Sequence, residues 1–149
     1  MTLRISSGLR DAVVTNYGLG QMMQLGFIQV FSGGQPVTPD EPPNGALLAQ
    51  ITQGGLPIPI PGDSAGGLQL IGGGVGEIVN YGDWTITGVS GGTPGWWRFV
   101  AGNIDPGGYS TTACRIDGTV ADCITGLPEI ITGSTMIPMS SFSLIIPLQ

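Results

Sequence analysis

Apolar positions along this chain come in short runs, each closed by glycine, proline, asparagine or aspartate. FIQVF, residues 27–31, is rich in β-branched and aromatic side chains and stops at a glycine pair, which predicts a strand. ALLAQIT, residues 46–52, resumes the same character. Similar runs follow at 56–60, 68–71, 78–80, 84–89, 96–101, 111–116 and 119–124. SFSLIIPL, residues 141–148, alternates and then becomes continuously apolar, which suits a strand that is buried or shared with a neighbour. About eight to ten short strands at this spacing predict a mainly β fold, a sandwich or barrel of jelly-roll type.

Two segments break the β pattern. In SGLRDAVVT, from Ser7, an N-cap serine precedes Leu9, Ala12 and Val13 at helical spacing, and Gly18 and Gly20 close the run. A further helical turn is expected at 19–25, so the N-terminal helical segment covers about residues 5–25. QPVTPDEPPNG, residues 35–45, carries Pro36, Pro39, Pro42 and Pro43. Prolines fix φ and remove backbone donors, so this loop should be stiff and extended. No fixed-period repeat or dividing linker occurs, and residues 1–149 read as one β domain.

Composition narrows the class. The 27 glycines and 12 prolines would suit disorder, but only 9% of residues are charged and mean hydropathy is +0.30, so they punctuate turns. The four basic residues are Arg4, Arg10, Arg98 and Arg115, there is no lysine, and the net charge is −6. A nucleic-acid partner would need a basic patch, which is absent. No apolar run reaches the length of a membrane span, and no cationic stretch followed by an apolar one opens the sequence. The expectation is neither export nor membrane attachment. A surface this poor in charge is unusual for a free monomer, and much of it should be covered by other subunits.

The sequence offers little chemistry. GDSAG, residues 62–66, matches a nucleophile elbow, but the chain contains no histidine or lysine to act as base, and the motif follows PIPIP in place of a strand. It reads as a turn. GGGVG, residues 72–76, lacks the Lys-Ser/Thr ending of a phosphate loop and reads as a turn or bulge. Asp105, Asp117 and Asp122 follow no metal-loop spacing and read as solvated turn aspartates. No catalytic, metal or cofactor residue is assigned, and the expectation is a protein that is not an enzyme.

Cys114 and Cys123 flank RIDGTVAD, whose Asp117-Gly118 suits a two-residue hairpin turn. In that register Cys123 lies about two residues beyond the position opposite Cys114, so a disulfide between them needs a bulge or twist. The pair is a candidate disulfide that cytosolic assembly disfavours. PGWWRFV places Trp96 and Arg98 on one face of a strand and Trp97 on the other. One face should be core. The other is a candidate interface, protein-binding or sugar-stacking, built on Trp96, Trp97 and Arg98.

RISSGLRDAVV, IQVFSGGQPVTPDEPPNGALLAQIT, GWWRFVAGN and RIDGTV together resemble a family of short virion structural proteins of tailed bacteriophages and prophages. The features that carry the resemblance are residues 4–10, residues 32–36, Asp40 and residues 45–52. Cys114 and Cys123 depart from that pattern. The resemblance implies a capsid cement or decoration protein, assembled in the host cytoplasm. Its partners would be the major capsid protein and copies of itself, as trimers at local threefold positions. The alternative is a host- or carbohydrate-binding module of a tail or fibre.

Overall fold

A computed structural model describes residues 3–15, 18–102 and 105–145. The chain forms eleven strands and two short helices among these residues, arranged as two antiparallel sheets. The first sheet has the order β1-β8-β7-β2-β3-β6-β10, comprising Arg4–Ile5, Arg115–Thr119, Trp96–Val100, Phe27–Phe31, Leu47–Gln53, Trp84–Gly88 and Met136–Pro138. The second has the order β4-β5-β11-β9, comprising Gln69–Gly74, Glu77–Tyr81, Ser141–Ile145 and Ile124–Thr125. Both sheets are open, so the sandwich is realised and the closed barrel is excluded.

Register explains how the alternating pattern makes two faces. Directly opposed residues share a face of the sheet. One row runs across all seven strands of the first sheet as Ile5, Ile116, Phe99, Ile28, Ile51, Ile86 and Ile137. The neighbouring row, on the other face, runs Arg4, Asp117, Arg98, Gln29, Gln50, Thr87 and Met136. The apolar row faces the second sheet.

Phe142 of β11 joins the two sheets. Its ring lies 5.4 Å from Trp84, 5.8 Å from Phe99 and 6.0 Å from Trp97, and all four side chains are essentially inaccessible. Leu70, Ile124 and Leu144 complete the core on that side. Edge-to-face aromatic pairs contribute about 0.5–1.5 kcal/mol each beyond area burial, so this cluster is the main tie between the layers.

The N-terminal helical segment divides into α1, Ser7–Thr15, and α2, Leu19–Met23, after the short strand β1. Asn16 and Tyr17, part of that expected segment, lie outside the described residues. The cap of α1 is Ser6, one residue before the serine expected: its Oγ accepts the Leu9 N–H at 3.1 Å and the Arg115 N–H at 2.9 Å. The helix start is thereby fastened to β8.

One sequence-based strand and one sequence-based turn are corrected. Residues 56–60 form no strand beyond an isolated Ile60–Asp63 bridge, because Pro57, Pro59 and Pro61 remove the donors a ladder needs. The hairpin turn expected at Asp117-Gly118 lies inside continuous strand β8. Gly118 sits directly opposite Trp97, and a Cβ there would approach the indole to 2.3 Å, so this glycine serves packing. The chain turns instead between Thr119 and Ile124, where the Asp122 carboxylate accepts the Thr119 N–H and hydroxyl at 2.9 Å. Two strands were not expected from the sequence, β1 and β10. Residues 146–148 of the expected last strand lie outside the described residues.

Candidate interaction surface

The proline-rich segment 35–45 lies over the outer face of the first sheet and closes on itself at its base. The Ser32 N–H donates to Ala46 O at 3.0 Å and the Ala46 N–H donates to Ser32 Oγ at 3.0 Å. Gly45 adopts φ +82° at this closure, a conformation that favours glycine, and a Cβ there would strike Ser32 O. The segment is a strap with fixed ends.

Three guanidinium groups fasten it. Arg4 Nη1 donates to Pro36 O and Val37 O at 2.6 and 2.9 Å. Arg98 Nη1 donates to Glu41 O at 2.9 Å. Arg115 Nη1 donates to Pro39 O and Asp40 O at 3.0 and 3.3 Å. Each proline of the segment keeps a carbonyl but has no N–H, and arginine, with five N–H groups, is the complementary partner. Asp40 completes the clasp at the start of α1, accepting the Ser7 N–H at 2.8 Å and the Ser7 hydroxyl at 2.5 Å. A carboxylate is favourable at a helix N-terminus.

Two of these arginines are themselves held by carboxylates. Arg98 pairs with Asp117 through Nε–Oδ1 at 2.7 Å and Nη2–Oδ2 at 2.8 Å, and both residues are at most 1% exposed. Arg115 pairs with Asp105 through two contacts of 2.6 Å and also donates to Gly108 O at 2.9 Å. Burial pushes the Asp117 carboxyl above its ordinary value, although Arg98, Arg115 and Arg4 pull it down. At Asp105 burial acts upward as well, but the hydrogen bonds from Arg115 and the Gly107 N–H, with the charges of Arg115 and Arg98, outweigh it and hold the group below its ordinary value. Asp117 is therefore a buried ion-pair partner and Asp105 a partly buried one, which corrects the reading of these two as solvated turn aspartates, while Asp122 does cap a turn.

The candidate interface on β7 is corrected too. Trp97 faces the core, where its Nε1–H donates to Thr119 O at 2.8 Å, and Trp96 and Arg98 face the strap. Trp96 stacks on Phe31 with ring centroids 4.7 Å apart and donates its Nε1–H to Asn44 O at 3.2 Å, and the Arg98 guanidinium lies 5.4 Å from its ring centre. All three side chains are inside the molecule. The strap covers the face that alternation left free, so neither indole offers a stacking surface. Cys114 and Cys123 are free thiols, so the candidate disulfide is absent. With Asp117 and Gly118 inside β8, the hairpin that would have brought them near each other does not exist. Burial raises both thiols, Cys123 to about 11 with help from Asp122.

The structure also gathers residues scattered through the sequence. Arg4, Ser7 and Asp40 meet at the strap beside Arg98 and Asp117. GDSAG forms an exposed turn, and Val75-Gly76 turns the β4–β5 hairpin. Among the described residues no three ligand-type side chains gather to hold a metal, and no helix is long and apolar enough to cross a membrane.

Large apolar side chains also stand on the outside. Val14, Val37, Val75, Ile130, Met136 and Ile145 are each more than 60% exposed. A surface cavity of about 510 Å³ is a groove lined by Pro94, Val120, Ile124, Leu127, Pro128 and Ile130, with Glu129 the charged residue of its lining. Sequence reasoning missed it, because its walls come from two segments far apart in the chain, at 93–94 and 120–130. Compared with protein-family models, curated proteins and solved structures, the chain matches none of them.

Proposed function

We propose that this chain is a structural protein of a tailed-bacteriophage particle, a capsid cement or decoration protein that bridges major capsid subunits. The observation that carries the reading is the distribution of chemistry. Two of four arginines, two aspartates and three tryptophans are spent inside the fold, while large aliphatic side chains stand on the surface. A catalyst concentrates polar, titratable groups in a cleft, whereas a protein that works by burial leaves apolar surface to be covered. The sequence resemblance supports the same reading, and the strap gives it a rigid body: six carbonyls fastened by guanidinium and indole donors hold the outer face in one shape. The mechanism is summed interface burial against capsid subunits and further copies of this chain, without a cofactor.

Purified particles test this. Density for the chain spread over the shell and touching several capsid subunits, in a cryo-EM map, is the expected result. Density confined to a tail tip or fibre would replace the cement role by host attachment, and absence of the chain from particles would end the virion reading.

A further inference from the structure

The strap and what lies beneath it form a unit separate from the core. Phe31 and Trp96 are both buried, yet neither belongs to the cluster packed between the sheets. They make a second, smaller apolar cluster on the outer face, with the strap as its cover. Of the strap itself, only Pro36 and Pro39 are buried, so its hold on the sheet is mainly polar.

Charge is gathered on the same side. The core cluster contains no carboxylate and no guanidinium. Around the strap stand three guanidinium groups, Arg4, Arg98 and Arg115, and three carboxylates, Asp40, Asp105 and Asp117, so the charges balance at neutral pH. The other titratable groups of the packed elements are Arg10 and Asp11 of α1, Glu41 of the strap and Tyr109 beside Ser110. Arg10, Asp11 and Tyr109 are exposed, and the Glu41 carboxylate accepts the Val37 N–H at 3.2 Å.

Acid upsets that balance and leaves the core alone, because carboxylates neutralise while guanidinium groups keep their charge. Protonating Asp40 removes the anionic acceptor of the Ser7 N–H and hydroxyl, and with it the attraction to the start of α1. Protonating Asp105 frees Arg115 from two contacts of 2.6 Å, and Arg115 is the donor to Pro39 O and Asp40 O. Asp105 lies below its ordinary value, so its hold is present above about pH 4 and is lost as pH falls through the lowered value. Asp117 lies above its ordinary value, takes its proton earlier and drives no opening, since the fold favours its neutral form. The guanidinium groups then face one another without counter-charge. Hinges are in place: Gly33, at φ +76°, and Gly34 have open space around them, and Gly45 stands at the other end. The Ser32–Ala46 hydrogen bonds below the hinges involve no titratable group.

We infer that the strap is an acid-released latch: protonation of Asp40 and Asp105 frees residues 35–44 from the outer face and uncovers Phe31 and Trp96, while the two sheets stay packed. The latch stands whether or not the chain joins a particle.

The experiment follows the indole N–H resonances of the full chain, and acrylamide quenching of its emission, from neutral pH down to about pH 2. Strand β7 carries its own control, since Trp97, beside Trp96, donates to Thr119 O inside the core, and Trp84 donates to Tyr81 O. The expected result is that Trp96 alone loses protection and becomes open to quencher, while Trp97, Trp84 and the far-ultraviolet circular dichroism stay as they are at neutral pH. A full-length variant carrying Asp40→Asn and Asp105→Asn should show the same Trp96 signature already at neutral pH. Three indoles and dichroism that change together in the wild type, or a Trp96 protected throughout the titration, would overturn the inference. A folded double variant that keeps Trp96 protected at neutral pH would overturn it as well, and if that variant does not fold the wild-type titration decides alone.

Discussion

Replacing Arg98 by methionine removes both hydrogen bonds to Asp117 and the donor to Glu41 O while nearly preserving volume. Asp117 is then a carboxylate with no exposure and no paired guanidinium. Breaking a buried pair this way costs about 3–5 kcal/mol. Because burial already raises the pKa of Asp117, the group takes up a proton and relieves part of the penalty, which sets the expectation near the lower end, about 3 kcal/mol. At roughly 2–4 °C per kcal/mol for a domain of this size, Tm falls by about 6–12 °C. The double variant Arg98→Met with Asp117→Leu removes both charges, and its remaining loss is the strap hydrogen bond to Glu41, about 1 kcal/mol. Urea unfolding followed by tryptophan emission measures all three proteins, with Trp96 under the strap as a reporter. A double variant as unstable as the single one would refute the reasoning, since an uncompensated buried charge would then not be the cause.

Phe142→Ala removes the ring that joins the layers, and urea denaturation should show a loss of about 3–5 kcal/mol; a loss under 1 kcal/mol would mean the sheets are held elsewhere. Gly118→Ala drives a methyl into the Trp97 indole and should cost about 1–3 kcal/mol, whereas an Asp-Gly turn would tolerate alanine differently and leave the emission of Trp97 unchanged. Asp105 has a folded pKa below its unfolded value, so its stabilisation is present above about pH 4 and is lost as pH falls through the lowered value. Asp117 is raised and has the opposite sign, its contribution being lost as pH rises through its folded value. Thermal unfolding from pH 2 to 7 should therefore show a shallower acid limb for Asp105→Asn than for the wild type, and an unchanged limb counts against the pair. With both cysteines free, adding reductant should leave Tm unmoved; a fall would reveal a disulfide.

Legibility in the sequence followed the range of the cause. Strand β2 falls on the residues read for it, and β3, β6, β7 and β11 begin within a residue of their apolar runs, because alternation is a local property that burial of one face enforces. The helical segment was legible for the same reason, and its cap moved by one residue because β8 recruits Ser6. Asp117-Gly118 misled because a turn signal and a packing requirement use the same residue types; only the indole of Trp97 across the ladder distinguishes them. The outer fate of Trp96 and Arg98 was hidden likewise, since the element covering them lies more than fifty residues away in sequence.

By itself, then, the sequence determined a charge-poor, mainly β chain with one short helical region, a stiff proline segment and no base for a serine nucleophile. Composition and short-range periodicity suffice for these. The tertiary structure decided where the polar residues went: it turned prolines that lack donors toward arginines that have them in excess, paired Arg98 and Arg115 with aspartates, and assembled a groove from separate segments. These outcomes depend on which strands become neighbours, and strand neighbourhood is a long-range property that no local pattern encodes.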